Sequence, residues 1–144
     1  MTTLTPLTLE QANIILAAAL AQSRKQGYKP MGIVVLDDAG HLRAAQREDG
    51  ASMFRIDIAT GKAWAAVGMG VSSRMLAQRA KDNPNFFTTL AATAGGKFLP
   101  QTGAVLIKDA AGVTLGAAGA SGGTGDEDEA ICIAGIEAAG LSAG

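Results

Sequence analysis

Two short turn strings constrain this chain more than any other feature. Asp37-Asp38-Ala39-Gly40 closes the apolar run Met31–Asp37, and Asp109-Ala110-Ala111-Gly112 follows the run Ala104–Ile107. Asp and Gly at these spacings are turn chemistry: the carboxylate bonds nearby backbone, and glycine accepts positive φ. The apolar runs are short, β-branched and bounded by turn residues, which is the pattern of buried strands. His41–Arg47 and Val113–Ala120 read as the return strands. Two β-hairpins are thus the fixed points, and the other segments must cover them.

Helical spacing fills the gaps between hairpins. Thr8 opens a first helix, with Gln11 completing a capping box and Leu7 placed to staple onto Ala12. Leu9, Ala12, Leu16, Ala19 and Leu20 recur on one face, and Gly27 ends the helix. Ser52 is placed to cap a second helix, Met53 to Gly68, with Phe54, Ile58 and Ala65 on a face widened by Ala63, Trp64 and Val67. Ser72 or Ser73 is placed to cap a short basic helix ending near Lys81. After the Asn83-Pro84-Asn85 turn, Phe86–Ala94 fits either a helical turn or irregular packing. A last helix runs from about Asp126 to Ala139, its apolar residues being Ala130, Ile133, Ala134, Ile136 and Ala138. The order α–ββ–αα–ββ–α predicts an α/β fold, an antiparallel sheet covered by helices. No linker divides it, so residues 1–144 are expected to form one domain.

Composition removes several function classes. With 48% hydrophobic and 17% charged residues, the chain is too apolar for disorder. A net charge of −1 leaves no basic stripe to neutralise phosphates, which argues against nucleic acid as a partner. Cys132 is the only cysteine, so neither an internal disulfide nor a thiolate metal cluster can form, and a reducing compartment is expected. Met1–Glu10 lacks a basic region followed by an apolar one, and the apolar stretch Ile14–Ala21 falls short of the ~20 residues that span a bilayer. A cytoplasmic protein without a membrane partner is the expectation. The 29 Ala and 19 Gly make a third of the chain. Such small side chains give a thin core per residue, so a homo-oligomer is expected.

Four segments together resemble one family. They are Ile33–Asp37 with Gly40-His41-Leu42, then Arg47-Glu48-Asp49-Gly50-Ala51, then Gly61-Lys62-Ala63 with Ala65. The fourth is Gly116–Thr124 followed by Asp126–Glu129 and Ala134-Gly135. In this order and spacing they resemble the GlcG/HbpS-type family, also found as the C-terminal domain of PduO-type proteins. The resemblance implies a profilin-like α/β sandwich with a five-stranded antiparallel sheet, assembly as dimers to octamers, and haem as a ligand in several members. Other relatives sit in small-molecule catabolic operons, and a few act on ring-cleavage or hydroxyquinol-type intermediates. The chain departs from the family pattern at Ala104 and Leu106, where the family usually has Gly and Pro, and at Glu127, where Gln is usual. Its first helix holds no histidine to match a haem-binding relative's.

The candidate site residues follow from chemistry. His41 is the only histidine, able to act as a haem ligand or general base, or simply as a solvated residue after a turn. Gly119-Ala120-Ser121-Gly122-Gly123 matches the G-x-S-x-G nucleophile elbow, but no histidine follows Ser121 to complete a triad. The better reading of Ser121, Gly122, Gly123 and Thr124 is ligand binding, with bare amides at a helix entry receiving an anion. The competing reading is that Asp126–Glu129 already serve that helix end. Arg47 can fork a carboxylate or haem propionate, or pair with Asp49. Lys62, mid-helix among apolar residues, suits either a desolvated base or a snorkelling cation. Asp126, Asp128 and Glu129 read as a solvated helix start rather than a metal site, so no metal is expected. Cys132, Met53, Met69 and Met75 read as core.

Two functions follow. One is a small-molecule or haem-binding accessory protein with its pocket near Arg47, Asp49, Lys62 and the Ser121–Gly125 loop. The other is an enzyme without cofactor, of proton-transfer, dehalogenation or deamination type, acting on a small carboxylated or hydroxyquinol-like metabolite. There Lys62 or Asp49 handles protons and Arg47 holds the anion.

Overall fold

The computed structural model describes residues 6–144. Residues 1–5 of the expected domain, and half of the segment read for a leader, lie outside that range. Five helices and five strands follow the expected order, with one extra C-terminal strand: α1 (Leu9–Gln26), β1 (Gly32–Asp37), β2 (Leu42–Arg47), α2 (Phe54–Met69), α3 (Ser73–Asp82), α4 (Pro84–Thr93), β3 (Ala104–Lys108), β4 (Thr114–Ser121), α5 (Gly125–Ala138) and β5 (Ser142–Ala143). The strands form one antiparallel sheet in the order β2-β1-β4-β3-β5, so each hairpin contributes its inner strand to the centre.

The two turns are built alike. Asp37 Oδ1 accepts the N–H groups of Ala39 (3.0 Å) and His41 (2.9 Å), and Asp109 Oδ1 accepts those of Ala111 and Val113 (2.9 Å each). Gly40 and Gly112 both sit at φ 81°, the left-handed conformation that the motif needs. A bulge follows at the same place in each hairpin, between Val35 and Leu36 and between Ile107 and Lys108.

Both sheet faces are covered, which explains why β1 and β3 read as unbroken apolar runs. Ile33, Val35, Val105, Ile107, Ala118 and Ala120 face α1 and α5. Val34, Leu36, Ala104, Leu106 and Ala117 face α2, whose own contribution is Ala59, Ala63 and Ala66. A third cluster, Ala65, Leu76, Phe87 and Phe98, docks α3 and α4 onto the outer side of α2. The small residues let these layers close up. A Cβ at Gly135 of α5 would lie 2.4 Å from the Ile15 carbonyl oxygen of α1. One at Gly119 of β4 would lie 2.4 Å from the Ala59 carbonyl oxygen of α2.

Several local expectations need correcting. The capping box of Thr8 and Gln11 is present, but Leu9 is 51% exposed, and the buried face of α1 is Ala12, Ile15, Leu16, Ala19 and Ser23. Ser52 does not cap α2, which starts after Met53 with no side-chain cap. Phe54 is exposed there because the sheet is met by the alanine face instead. Ser72 is the N-cap residue of α3, but its side chain makes no cap bond; Ser73 Oγ accepts the Ala104 N–H at 2.8 Å and Ser72 Oγ that of Leu106 at 3.2 Å, tying α3 to β3. Phe86–Thr93 is helical, as most of α4, and Ala94 is the C-cap. Met53 (71% exposed) and Met75 (52%) are surface residues rather than core. In α5 the buried stripe is Asp128, Ile131, Cys132, Gly135 and Ile136, while Ala130 and Ala138 face solvent. No helix of the described residues is long and apolar enough to cross a membrane.

Candidate functional site

The site grows from one buried ion pair. Lys62 comes from α2 and Asp128 from α5, the two opposite helical layers, and they meet at the end of the sheet where β4 finishes. Lys62 Nζ lies 2.9 Å from Asp128 Oδ2 and donates to the Ala120 carbonyl at 3.1 Å. Both side chains are nearly out of water, at 7% and 2% exposure. Burial pushes the Asp128 carboxyl up from its ordinary value, while the Lys62 ammonium and the Gly123 N–H (3.0 Å to Oδ1) pull it back. The pair fits because Gly103 has no side chain: a Cβ there would lie 2.6 Å from Lys62 Nζ and 3.1 Å from the Asp128 Cβ. At φ 138°, Gly103 also holds a backbone conformation that other residues rarely adopt.

Asp128 is therefore no solvated helix residue. Its true helix start is Thr124, whose side chain accepts the Glu127 N–H while Glu127 accepts the Thr124 N–H, a second capping box. The amides of Gly123 and Thr124 are thus bonded to Asp128 and Glu127, the chain's own carboxylates. Anion binding by bare loop amides loses those two donors.

Arg55, in the first turn of α2, supplies a side chain that sequence reasoning missed. Its Nη1 donates to Ser121 Oγ at 3.1 Å. Gly32 permits this: it pairs with Ser121 in the sheet, and a Cβ at Gly32 would lie 2.9 Å from the Arg55 Cβ. The signal was available, because Arg55 lies seven residues before Lys62 and so shares its helix face. Arg55, Lys62, Ser121 and Asp128 line a cleft of about 480 Å³, with Ile58 and Leu99 as its apolar wall.

Arg47 and Asp49 are elsewhere. They line a second cleft of about 570 Å³ with Arg24 and Glu48, beside α1. Arg47 Nη1 donates to the Ala51 carbonyl at 2.6 Å, and among the described residues Arg47 and Asp49 form no ion pair. Glu48 instead pairs with Arg24 at 2.9 Å and accepts the Met31 N–H at 2.8 Å. His41 stands exposed at the far end of β1 from Ser121, about 17 Å away by strand rise. Cys132 is buried, its Sγ 3.7 Å from the Gly103 carbonyl, and burial pushes its thiol pKa up. No cluster of three or more His, Cys, Asp or Glu side chains able to hold a metal occurs among the described residues.

The fold and this cleft define a class: a profilin-like sandwich, one five-stranded antiparallel sheet between helical layers, with a charged cleft at the sheet's end. The chain belongs to the haem degrading protein HbpS-like family, whose model matches residues 7–137. No curated protein sequence matches it. Among solved structures, HbpS from Streptomyces reticuli, in a double-mutant form, is similar at 28% identity with TM-score 0.80, covering 95% of this chain and 89% of that one. The PduOC:heme complex has the same fold at 22% identity and TM-score 0.85, covering 96% and 98%. Klebsiella pneumoniae protein ORFY does so at 21% and TM-score 0.86, covering 97% and 94%.

Proposed function

We propose that this chain is a small-molecule-binding accessory protein of a catabolic or haem-related pathway, working in the cytoplasm as a homo-oligomer. One observation carries the reading: Arg55, Ser121 and Lys62 converge on a single cleft from α2 and β4. Family membership adds weight to a haem-related role. Haem is the ligand named in the PduOC structure. The donor set of this cleft suits haem only in part. Arg55 can meet a propionate, but the cleft offers no His, Met, Cys or Tyr to bind iron, and the Lys62 ammonium is held by Asp128 and Ala120. The residues therefore do not fit an axially ligated haem here.

The enzymatic alternative has one observation in its favour. The Lys62–Asp128 pair places a proton-bearing ammonium and a carboxyl with an upward-shifted pKa at the back of a cleft. Proton transfer on a small carboxylated or hydroxyquinol-like metabolite is the reaction class that such a pair serves. Titration with hemin, followed at the Soret band, beside a thermal-shift panel of small carboxylates and quinols, tests the reading. Saturable binding of one of them is the expected result. A flat response to all would sink it.

A further inference from the structure

We propose that the cleft is a site for a small organic monocarboxylate, anchored by Arg55 with Ser121. This deepens the small-molecule reading and rests on it. The first argument is the donor count. Arg55 spends one of its five N–H donors on Ser121 Oγ, and no carboxylate of the described residues pairs with it. Ser121 accepts that bond, so its own O–H proton is left to donate elsewhere. Two neighbouring groups with spare donors, one of them a cation, call for an anionic acceptor, and the planar fork of Arg55 suits a carboxylate.

The charge balance sets the size of that anion's charge. Lys62 is offset by Asp128 within the wall. Asp126, at the mouth, is drawn away to Arg74 together with Glu129. Arg74, Asp126 and Glu129 together carry a net charge of −1 at the mouth, which disfavours a second negative charge on the ligand, and Arg55, ion-paired with no carboxylate of the described residues, is the cation that meets the first. Ile58 and Leu99 then provide an apolar wall for the ligand's body.

The seat of Arg55 is built rather than incidental. Gly32, Ser121 and Arg55 form a stack: Gly32 pairs with Ser121 in the sheet, and its bare Cα lets the first turn of α2 settle onto β1. Any side chain at Gly32 would lift Arg55 away from Ser121. Arg47, the anchor that the sequence pattern favoured, is closed onto the Ala51 carbonyl in the other cleft.

Benzoate is the probe, titrated into the full chain by calorimetry, with benzamide and inorganic phosphate as isosteric and dianionic comparisons. We expect saturable benzoate binding that is roughly tenfold to a hundredfold weaker in Arg55→Gln, the range for a lost hydrogen bond to a charged group. Benzamide and phosphate should bind more weakly than benzoate. Arg55→Lys keeps the charge without the fork and should fall in between, which separates the anchor from a folding defect; Arg43→Gln should match the parent. Circular dichroism checks that each variant is folded. The assignment is overturned if benzamide matches benzoate, if phosphate outbinds it, or if Arg47→Gln rather than Arg55→Gln loses binding. Hemin binding without any benzoate binding also overturns it while leaving the small-molecule reading intact. Failure of benzoate, hemin and the carboxylate panel together removes both.

Discussion

Lys62 and Asp128 bring opposite charges out of water, and such pairs are asymmetric in their energetics. Their mutual attraction roughly offsets the desolvation of both, but removing one partner strands the other. Lys62→Met or Asp128→Leu alone should therefore cost about 3–5 kcal/mol, whereas the double variant should recover most of that loss. Urea unfolding of the three variants measures it, and additive losses would contradict the pairing. Asp37 gives a prediction of opposite character. Burial works against its ionisation, but the N–H groups of His41 and Ala39 hold its carboxyl below the ordinary 3.8. A lowered folded-state pKa stabilises the ionised fold above the unfolded value and loses that contribution as pH falls through the folded one. The chain should therefore lose stability below about pH 3.8, and Asp37→Asn should flatten that slope in acid denaturation curves.

At the scale of elements, local chemistry was legible and distant chemistry was not. The hairpins were plain because Asp37 with Gly40 and Asp109 with Gly112 need nothing beyond four residues of backbone. The Thr8–Gln11 box was legible for the same reason. The ion pair was hidden because its members are 66 residues apart and Asp128 stands in an acidic run that looks solvated. Its membership of the stripe with Ile131, Cys132, Gly135 and Ile136 was the available clue. Arg55 was passed over because an arginine in a first helical turn looks like surface. Two glycines show how element packing decides a substitution. Gly135→Ala would drive a Cβ into the Ile15 carbonyl and should destabilise by roughly 1–3 kcal/mol. Gly68→Ala, in α2 with nothing within 4 Å, should stabilise by about 0.5–1 kcal/mol. Thermal unfolding distinguishes the two, and equal effects would refute the packing argument.

For the whole molecule, the exposed apolar residues matter most. Leu42, Met53 and Phe54 are 63%, 71% and 58% exposed, and β2 is an open sheet edge. Exposed apolar side chains and an unpaired edge favour assembly. Size-exclusion with light scattering should give a mass at a multiple of 14.5 kDa, and a stable monomer would refute the oligomer. The chain also carries a rivet. Lys62 and Asp128 reach toward each other from the two helical layers, past the bare backbone of Gly103. A three-layer protein is otherwise free to shed one layer while the sheet keeps the other. With this rivet in place, peeling α5 away leaves an ammonium without its counter-charge on the α2 side. The layers are thereby obliged to open together, and amide exchange in α2 and α5 should share one opening free energy.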